Sequence, residues 1–143
     1  MATYESKDSK GKEYGSQGVV EFLTEAASKM MQLNEMTKRV KDEVNAYRKF
    51  VNTEGIRDRN IEEHLKNKIN KLTKIYGTIQ RKTYQDREKL ESEAKELLKK
   101  GYVERVKGEY VPQITELEER ENQLNDRINQ LQKLRKQLEE LEK

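Results

Sequence analysis

The sequence predicts an all-α protein: three long helices in an antiparallel coiled-coil arrangement, with a short β-hairpin between the second and third. Two observations support this prediction. Only 32% of the residues are apolar and 40% are charged, whereas globular domains have roughly 45–50% and about 25%. Apolar residues also recur at alternating steps of three and four, which is the spacing of a coiled-coil face. Long helices that each bury one narrow stripe suit this composition.

The first helix is predicted from about residue 19 to residue 52, after a polar arm at residues 1–18 that we expect to be flexible. Its seam consists of Leu23, Ala26, Met30, Leu33, Thr37, Val40, Val44, Tyr47 and Val51. Other apolar residues widen this stripe, among them Ala27, Met31, Met36 and Phe50. The width predicts apolar neighbours on more than one side of the helix.

The second helix is predicted at about residues 58–100. Gly55 suits the end of the first helix and Gly101 the end of the second, and Asn60 is a candidate N-cap. Its seam is Leu65, Ile69, Leu72, Tyr76 and Ile79, and it resumes with Leu90, Ala94 and Leu97. Between the two runs, polar Thr83 and Asp86 occupy the seam positions.

Residues 102–111 predict the β-hairpin, because two pairs of strand-forming residues, Tyr102-Val103 and Tyr110-Val111, flank the turn former Gly108. Pro112 suits the first position of a helix, so the third helix is predicted at residues 112–143. Its narrow seam is rich in Leu: Ile114, Leu117, Glu121, Leu124, Ile128, Leu131, Leu134, Leu138 and Leu141. Together, residues 19–143 predict one helical domain.

A basic face is predicted on the second helix, where no acid occurs between residues 64 and 85. Its cations are Lys66, Lys68, Lys71, Lys74, Arg81 and Lys82. These cations could pair with the acidic third helix, track a nucleic-acid backbone, or contact an anionic membrane or an acidic protein. The charge balance permits all of these, since residues 58–110 carry 14 basic and 10 acidic residues and residues 112–143 carry 6 and 8.

The sequence contains no recognised catalytic motif. There is no Cys, and His64 is the only histidine. Phosphate-loop, GxSxG, HExxH and EF-hand spacings are absent. We therefore expect no enzymatic activity, no cofactor, no metal and no small-molecule substrate. No apolar run is long enough for a transmembrane segment or a signal peptide, so the expected location is the cytoplasm, or a virion assembled in a cell.

Two partial resemblances concern the region around the predicted hairpin. The run ELLKKGYVERV at residues 96–106, followed by GEYV at 108–111, resembles the end of a recognition helix and the wing of a winged-helix regulator, which implies DNA binding. The two short helices that precede a recognition helix in that family have no counterpart here. The outline of helix, hairpin and helix also resembles prefoldin subunits, which implies binding of unfolded clients at the coiled-coil tips.

The function that these features predict is a structural, assembly or adaptor protein that associates with itself or with another coiled-coil protein. The predicted oligomer seam comprises Leu23, Met30, Leu33, Val40, Val44, Leu117, Leu124, Ile128, Leu131 and Leu138. Nucleic-acid binding through the basic face is the alternative. A prefoldin-like or membrane-surface role is a further alternative.

Overall fold

The computed structural model describes residues 15–141, with side chains for residue 25 and residues 27–141. The helices are α1 (Gly15–Glu54), α2 (Arg59–Lys99), α3 (Val103–Arg105), a π-helix (Val106–Tyr110) and α4 (Val111–Glu140). No strand occurs within residues 15–141, and the all-α prediction is confirmed. Most of the predicted arm, residues 1–14, lies outside the described residues, while residues 15–18 already belong to α1.

The predicted β-hairpin is wrong, because residues 103–110 are helical. Val106 and Tyr110 are buried with Leu117, and Ile114 packs against them. In chain order, Val106, Tyr110, Ile114 and Leu117 are separated by four, four and three residues, the spacing of one helix face. Burial of this face outweighs the local strand preference of Tyr and Val. The wing of the winged-helix resemblance and the hairpin of the prefoldin resemblance are therefore both missing from this region.

The π-helix ends at Tyr110, two residues before Pro112. The backbone N–H of Val111 donates to the carbonyl of Val106, five residues earlier. A proline inside an α-helix clashes with the carbonyl four residues before it and lacks an N–H, and a π turn is one way in which a helix adjusts. The side-chain amide of Gln113 donates to the carbonyl of Glu109 at 2.6 Å, which gives a backbone acceptor in this segment a side-chain donor.

Two compact units make up the chain, and each has its own core. Of the described residues, the first unit contains residues 15–28 and 80–123, and the second contains residues 29–79 and 124–141. The described core of the first unit is a cluster formed by Leu90, Ala94, Val106, Tyr110 and Leu117. The second unit buries most of the predicted seams: Met30, Leu33, Val40, Val44 and Tyr47 from α1, Leu65, Ile69, Leu72, Tyr76 and Ile79 from α2, and Leu124, Leu131, Leu134 and Leu138 from α4.

Side-chain contacts within the second unit give the direction of its helices. The pairs that join α1 to α2 are Tyr47–Glu62, Glu43–Lys68 and Thr37–Tyr76. The α1 residue number falls as the α2 number rises, so the two helices are antiparallel. Arg135 on α4 donates to Asn70 on α2 at 2.7 Å, which places α4 against α2 in the same unit.

Each of the two turns begins at a glycine with positive φ, 67° at Gly55 and 90° at Gly101, as the sequence predicted for helix ends. The N-cap prediction for α2 is corrected. The carboxylate of Asp58, and not Asn60, accepts the backbone N–H groups of Asn60 at 2.9 Å and Ile61 at 3.2 Å. Because α2 begins at Arg59, Asp58 is the residue in the N-cap position.

Candidate binding surfaces

The predicted basic face of α2 is divided between the two units, and its members differ in their surroundings. In the second unit Lys68 donates to Glu43 of α1 at 3.1 Å, and Lys66 is half-buried. Lys71 and Lys74 are exposed, and their ammonium groups form no hydrogen bond or ion pair with the residues that the structure describes. In the first unit Arg81 and Lys82 are exposed.

Two of these cations have acidic partners outside the acidic last helix. Lys68 pairs with α1, and Lys82 pairs with Asp86 one turn further along α2, at 3.0 Å. Lys68 is therefore not paired with α4 within the residues that the structure describes. The second carboxylate oxygen of Asp86 is buried and has no hydrogen-bond partner in the described part of the chain.

Most residues of the predicted oligomer seam are buried inside a single chain. Seven of them are fully or almost fully inaccessible: Leu33, Val40, Val44, Leu117, Leu124, Leu131 and Leu138. Met30 is buried as well, and Ile128 is half-buried. The side chain of Leu23 lies outside the described residues. These residues can therefore form the core of a single chain.

A layer of polar side chains interrupts the apolar core of the second unit. The Tyr76 hydroxyl donates to Oδ1 of Asn34 at 3.0 Å and lies 2.9 Å from the Thr37 hydroxyl, which also donates to the carbonyl of Leu33. Tyr76 and Thr37 are both buried. Burial raises the pKa of Tyr76, an effect that the hydrogen bond with Thr37 and the nearby charge of Arg127 oppose.

A groove of about 400 Å³ opens beside this polar layer, between α1 and α4 of the second unit. Its walls carry three cations, Lys38, Lys41 and Arg127, and one acid, Glu35. The other lining residues are Met31, Asn34, Thr37 and Gln130. Sequence reasoning missed this groove, since the pattern of a single helix does not reveal which residues of α4 lie across from α1.

A second polar cluster closes the turn between α1 and α2. The Tyr47 hydroxyl donates to Oε2 of Glu62 and accepts the backbone N–H of Asp58 at 2.8 Å. Arg57 donates to both carboxylate oxygens of Glu62, at 3.0 and 2.6 Å. Glu62 is buried, and the hydrogen bonds from Arg57 lower its pKa more than burial raises it. In Tyr47 burial, followed by the hydrogen bond to Glu62, raises the pKa.

The first unit has its own ion pair between helices. The Arg87 guanidinium on α2 donates to both carboxylate oxygens of Glu121 on α4 and to Glu91 at 3.0 Å, and it lies 5.2 Å from the centre of the Tyr84 ring. The hydrogen bond to Glu121 raises the pKa of Arg87. Glu121 is the charged residue of the predicted α4 seam, so the break in that seam is occupied by a salt bridge.

Exposed apolar side chains collect near the two turns. Phe50, Ile56 and Ile61 lie around the turn between α1 and α2. A second group, here named the turn patch, consists of Leu98, Tyr102, Val103 and Val111, which are between 41% and 53% exposed. Val106 and Tyr110 of the same segment are buried.

Comparisons with protein-family models, with curated proteins and with solved structures found no match. Within the described residues no group of three or more His, Asp or Glu side chains could hold a metal ion. His64, the only histidine, is exposed. None of the described helices combines the length and the apolar composition that crossing a membrane requires.

Proposed function

We propose that the protein is a non-enzymatic helical assembly or adaptor protein that associates with copies of itself through the turn patch. One observation carries this proposal: four large apolar side chains remain exposed in a chain that is only 32% apolar. Most of the predicted seam is already buried within the chain. Contiguous exposed apolar surface is typical of interaction sites.

The size of the patch is adequate for weak to moderate association. Fully burying a large apolar side chain contributes about 1.5–3 kcal/mol, so covering the exposed half of one contributes roughly 1 kcal/mol. In a two-fold dimer each copy presents the same surface, which doubles the number of side chains that are covered. Losses of translational and rotational freedom offset a large part of this gain.

The charges near the turn patch favour a second copy of the same chain as the partner. Nε of Arg105 lies 3.5 Å from Oε1 of Glu109, and Nζ of Lys107 lies 3.9 Å from Oε2 of Glu104. These cations are compensated within the same segment, so two copies can approach each other without strong repulsion. The net charge of the whole chain is only +3.

Size-exclusion chromatography with light scattering over a range of micromolar concentrations tests the proposal. We expect the mass of the wild type to exceed that of one chain, and the double variant L98Q/Y102Q to shift the protein towards the monomer. The variant M31Q/M36Q, which removes two exposed apolar side chains from α1, is the matched control and keeps the wild-type mass. A wild type that is monomeric throughout, or equal effects of both variants, contradicts self-association through the patch.

Nucleic-acid binding is the second candidate, and one observation favours it. Lys71 and Lys74 are three residues apart, so they share one face of α2, and both are exposed without an ion pair to the described residues. Such cations can release counterions from a phosphate backbone, which makes binding salt-dependent.

Fluorescence anisotropy with a labelled DNA duplex between 50 and 200 mM salt, in the range where counterion release is measurable, tests this candidate. The variant K71E/K74E is expected to lower the slope of log affinity against log salt by about two. The control K133E/K136E changes the net charge equally, through two exposed lysines of α4, and leaves the slope nearer to the wild type. Binding that is absent or independent of salt eliminates this function.

A further inference from the structure

We infer that the groove between α1 and α4 of the second unit is a binding site for a small anion that carries two or more linked phosphoryl groups. None of the residues that line the groove belongs to the turn patch or to the basic face of α2. Its volume of about 400 Å³ lies within the range of small-molecule sites, about 300–1,000 Å³.

The charges of the groove are the first part of the argument. Lys38 and Lys41 of α1 and Arg127 of α4 face one acid, Glu35. None of the three cations forms an ion pair with any residue that the structure describes. Their attraction for an anion is therefore not already used in a salt bridge, unlike that of Lys68 or Arg87.

The amides of the groove are the second part of the argument, since the oxygen of each already accepts one hydrogen bond. Oδ1 of Asn34 accepts the hydroxyl of Tyr76 at 3.0 Å, and Oε1 of Gln130 accepts Nη1 of Arg127 at 3.3 Å. The remaining polar atoms of these side chains are N–H donors. Together with the three cations they form a lining in which donors outnumber acceptors, and this is the chemistry that phosphoryl oxygens require.

The spacing of the cations indicates an extended anion and not a single phosphate. Lys38 and Lys41 are separated by three residues, or about 4.5 Å along the axis of α1, and Arg127 belongs to a different helix. A chain of linked phosphoryl groups can contact more than one of these cations at once. Thr37 also lines the groove, and its hydroxyl is held by contacts with Leu33 and Tyr76.

Isothermal titration of the full chain with inorganic tripolyphosphate at low salt tests the inference, and parallel titrations with inorganic phosphate and with a nucleoside triphosphate define the ligand. We expect tripolyphosphate to bind more tightly than phosphate. Tighter binding of the nucleoside triphosphate than of tripolyphosphate would assign a nucleotide as the source of the phosphoryl groups; equal or weaker binding would assign the inorganic chain.

Variants locate the site. Removing a charged hydrogen-bond donor is expected to weaken tripolyphosphate binding about tenfold in R127Q and about fivefold in the exposed-site variant K38Q. K136Q removes an exposed lysine of α4 outside the groove, and we expect less than a twofold change. Absence of binding, or an equal loss in K136Q and K38Q, overturns the inference. Light scattering of K38Q reports on the proposed self-association separately, because Lys38 is not part of the turn patch.

A spectroscopic measurement reports where on the protein the anion binds. Arg127 acts electrostatically on the Tyr76 hydroxyl, so an anion bound at Arg127 should shift the ring signals of Tyr76 in a spectrum of carbon-13-labelled tyrosine. Tyr110, in the first unit, should not respond. Equal shifts at Tyr76 and Tyr110 would indicate a general effect of the anion and would refute a site in the groove.

Discussion

The turn between α1 and α2 and the turn between α2 and α3 begin in the same way but are secured by different interactions. At the first, Gly55 donates to the carbonyl of Val51 at 2.8 Å, and the side chains of Tyr47, Arg57 and Glu62 then form a buried network. At the second, Gly101 donates to the carbonyl of Leu98 at 3.0 Å and Tyr102 to that of Leu97 at 3.0 Å. This is the Schellman arrangement, made by the backbone alone.

The difference determines what the side chains of each turn are available to do. At the first turn polar side chains are committed to each other, and replacing one of them leaves a buried partner without a hydrogen bond. At the second turn the backbone closes the chain, so Tyr102 and its neighbours are not needed for closure. A surface of exposed apolar residues can therefore exist there without loss of the turn.

The largest expected effect follows from E62Q, which removes the charge of the buried carboxylate. Because Arg57 and Tyr47 both depend on that carboxylate, we expect the free energy of unfolding to fall by about 2–3 kcal/mol in urea denaturation at pH 7. The control is E63Q, since Glu63 is an exposed neighbour, with a change of about 0.5 kcal/mol or less. Equal losses in the two variants would show that the network does not secure the turn.

The glycines provide the next comparison. G101A and G55A should each cost about 1–2 kcal/mol of unfolding free energy because alanine disfavours positive φ. An added Cβ would have nothing within 4 Å at either position, so the cost is purely conformational. G108A is the control: Gly108 lies in the π-helix with no positive φ, and alanine should stabilise by up to about 1 kcal/mol. Destabilisation by all three variants would contradict this explanation.

Removing single tyrosine hydroxyl groups should lower the free energy of unfolding by different amounts at the two turns. Y47F deletes the acceptor of the Asp58 N–H and a donor to Glu62, for an expected loss of about 1–1.5 kcal/mol. Y110F removes only a hydrogen bond of 3.3 Å to the half-buried Glu93, and a loss of about 0.5 kcal/mol or less is expected. Thermal unfolding of both variants beside the wild type measures the difference, and a larger loss in Y110F would reverse the comparison.

The pH dependence should be the smallest effect. The folded-state pKa of Glu62 is lowered, chiefly by Arg57, so its stabilising contribution is complete above the unfolded pKa of about 4.5 and is lost as the pH falls through the lower folded value. The stability difference between wild type and E62Q should therefore narrow between pH 5 and pH 3. Urea denaturation at both pH values measures this, and a difference that stays constant would show that the charge of Glu62 contributes nothing.

Periodicity predicted the features that depend on one helix at a time. Thr37 was placed in the α1 seam by its position alone, and it is buried. Asp58 was missed as the N-cap because Asn60 offered a similar side chain two residues later. The hairpin was predicted from Tyr102, Val103, Tyr110 and Val111 as local strand formers, while the helical spacing of Val106 and Tyr110 with Leu117 determined the fold.

Contacts between helices could not be predicted in the same way. The pairing of Glu62 with Tyr47 could not be predicted, because the two residues are 15 positions apart on opposite sides of a turn. The basic face was visible as a run of lysines, but the partner of Lys68 proved to be Glu43 of α1. The groove requires Lys38 and Arg127 to lie on facing helices, and no pattern within either helix specifies that.

The π-helix before Pro112 also fixes how the last helical segment can change in length. A π turn holds one residue more than the corresponding α turn, so deleting a residue between 106 and 110 could restore a regular α-helix in this segment. Because the wider turn accommodates the extra residue, such a deletion would leave Val106 at nearly the same angle around the helix axis relative to Leu117. Within the regular part of α4, by contrast, each deleted residue rotates the preceding helix face by about 100°. Single-residue deletions should therefore be tolerated better between residues 106 and 110 than in the rest of α4.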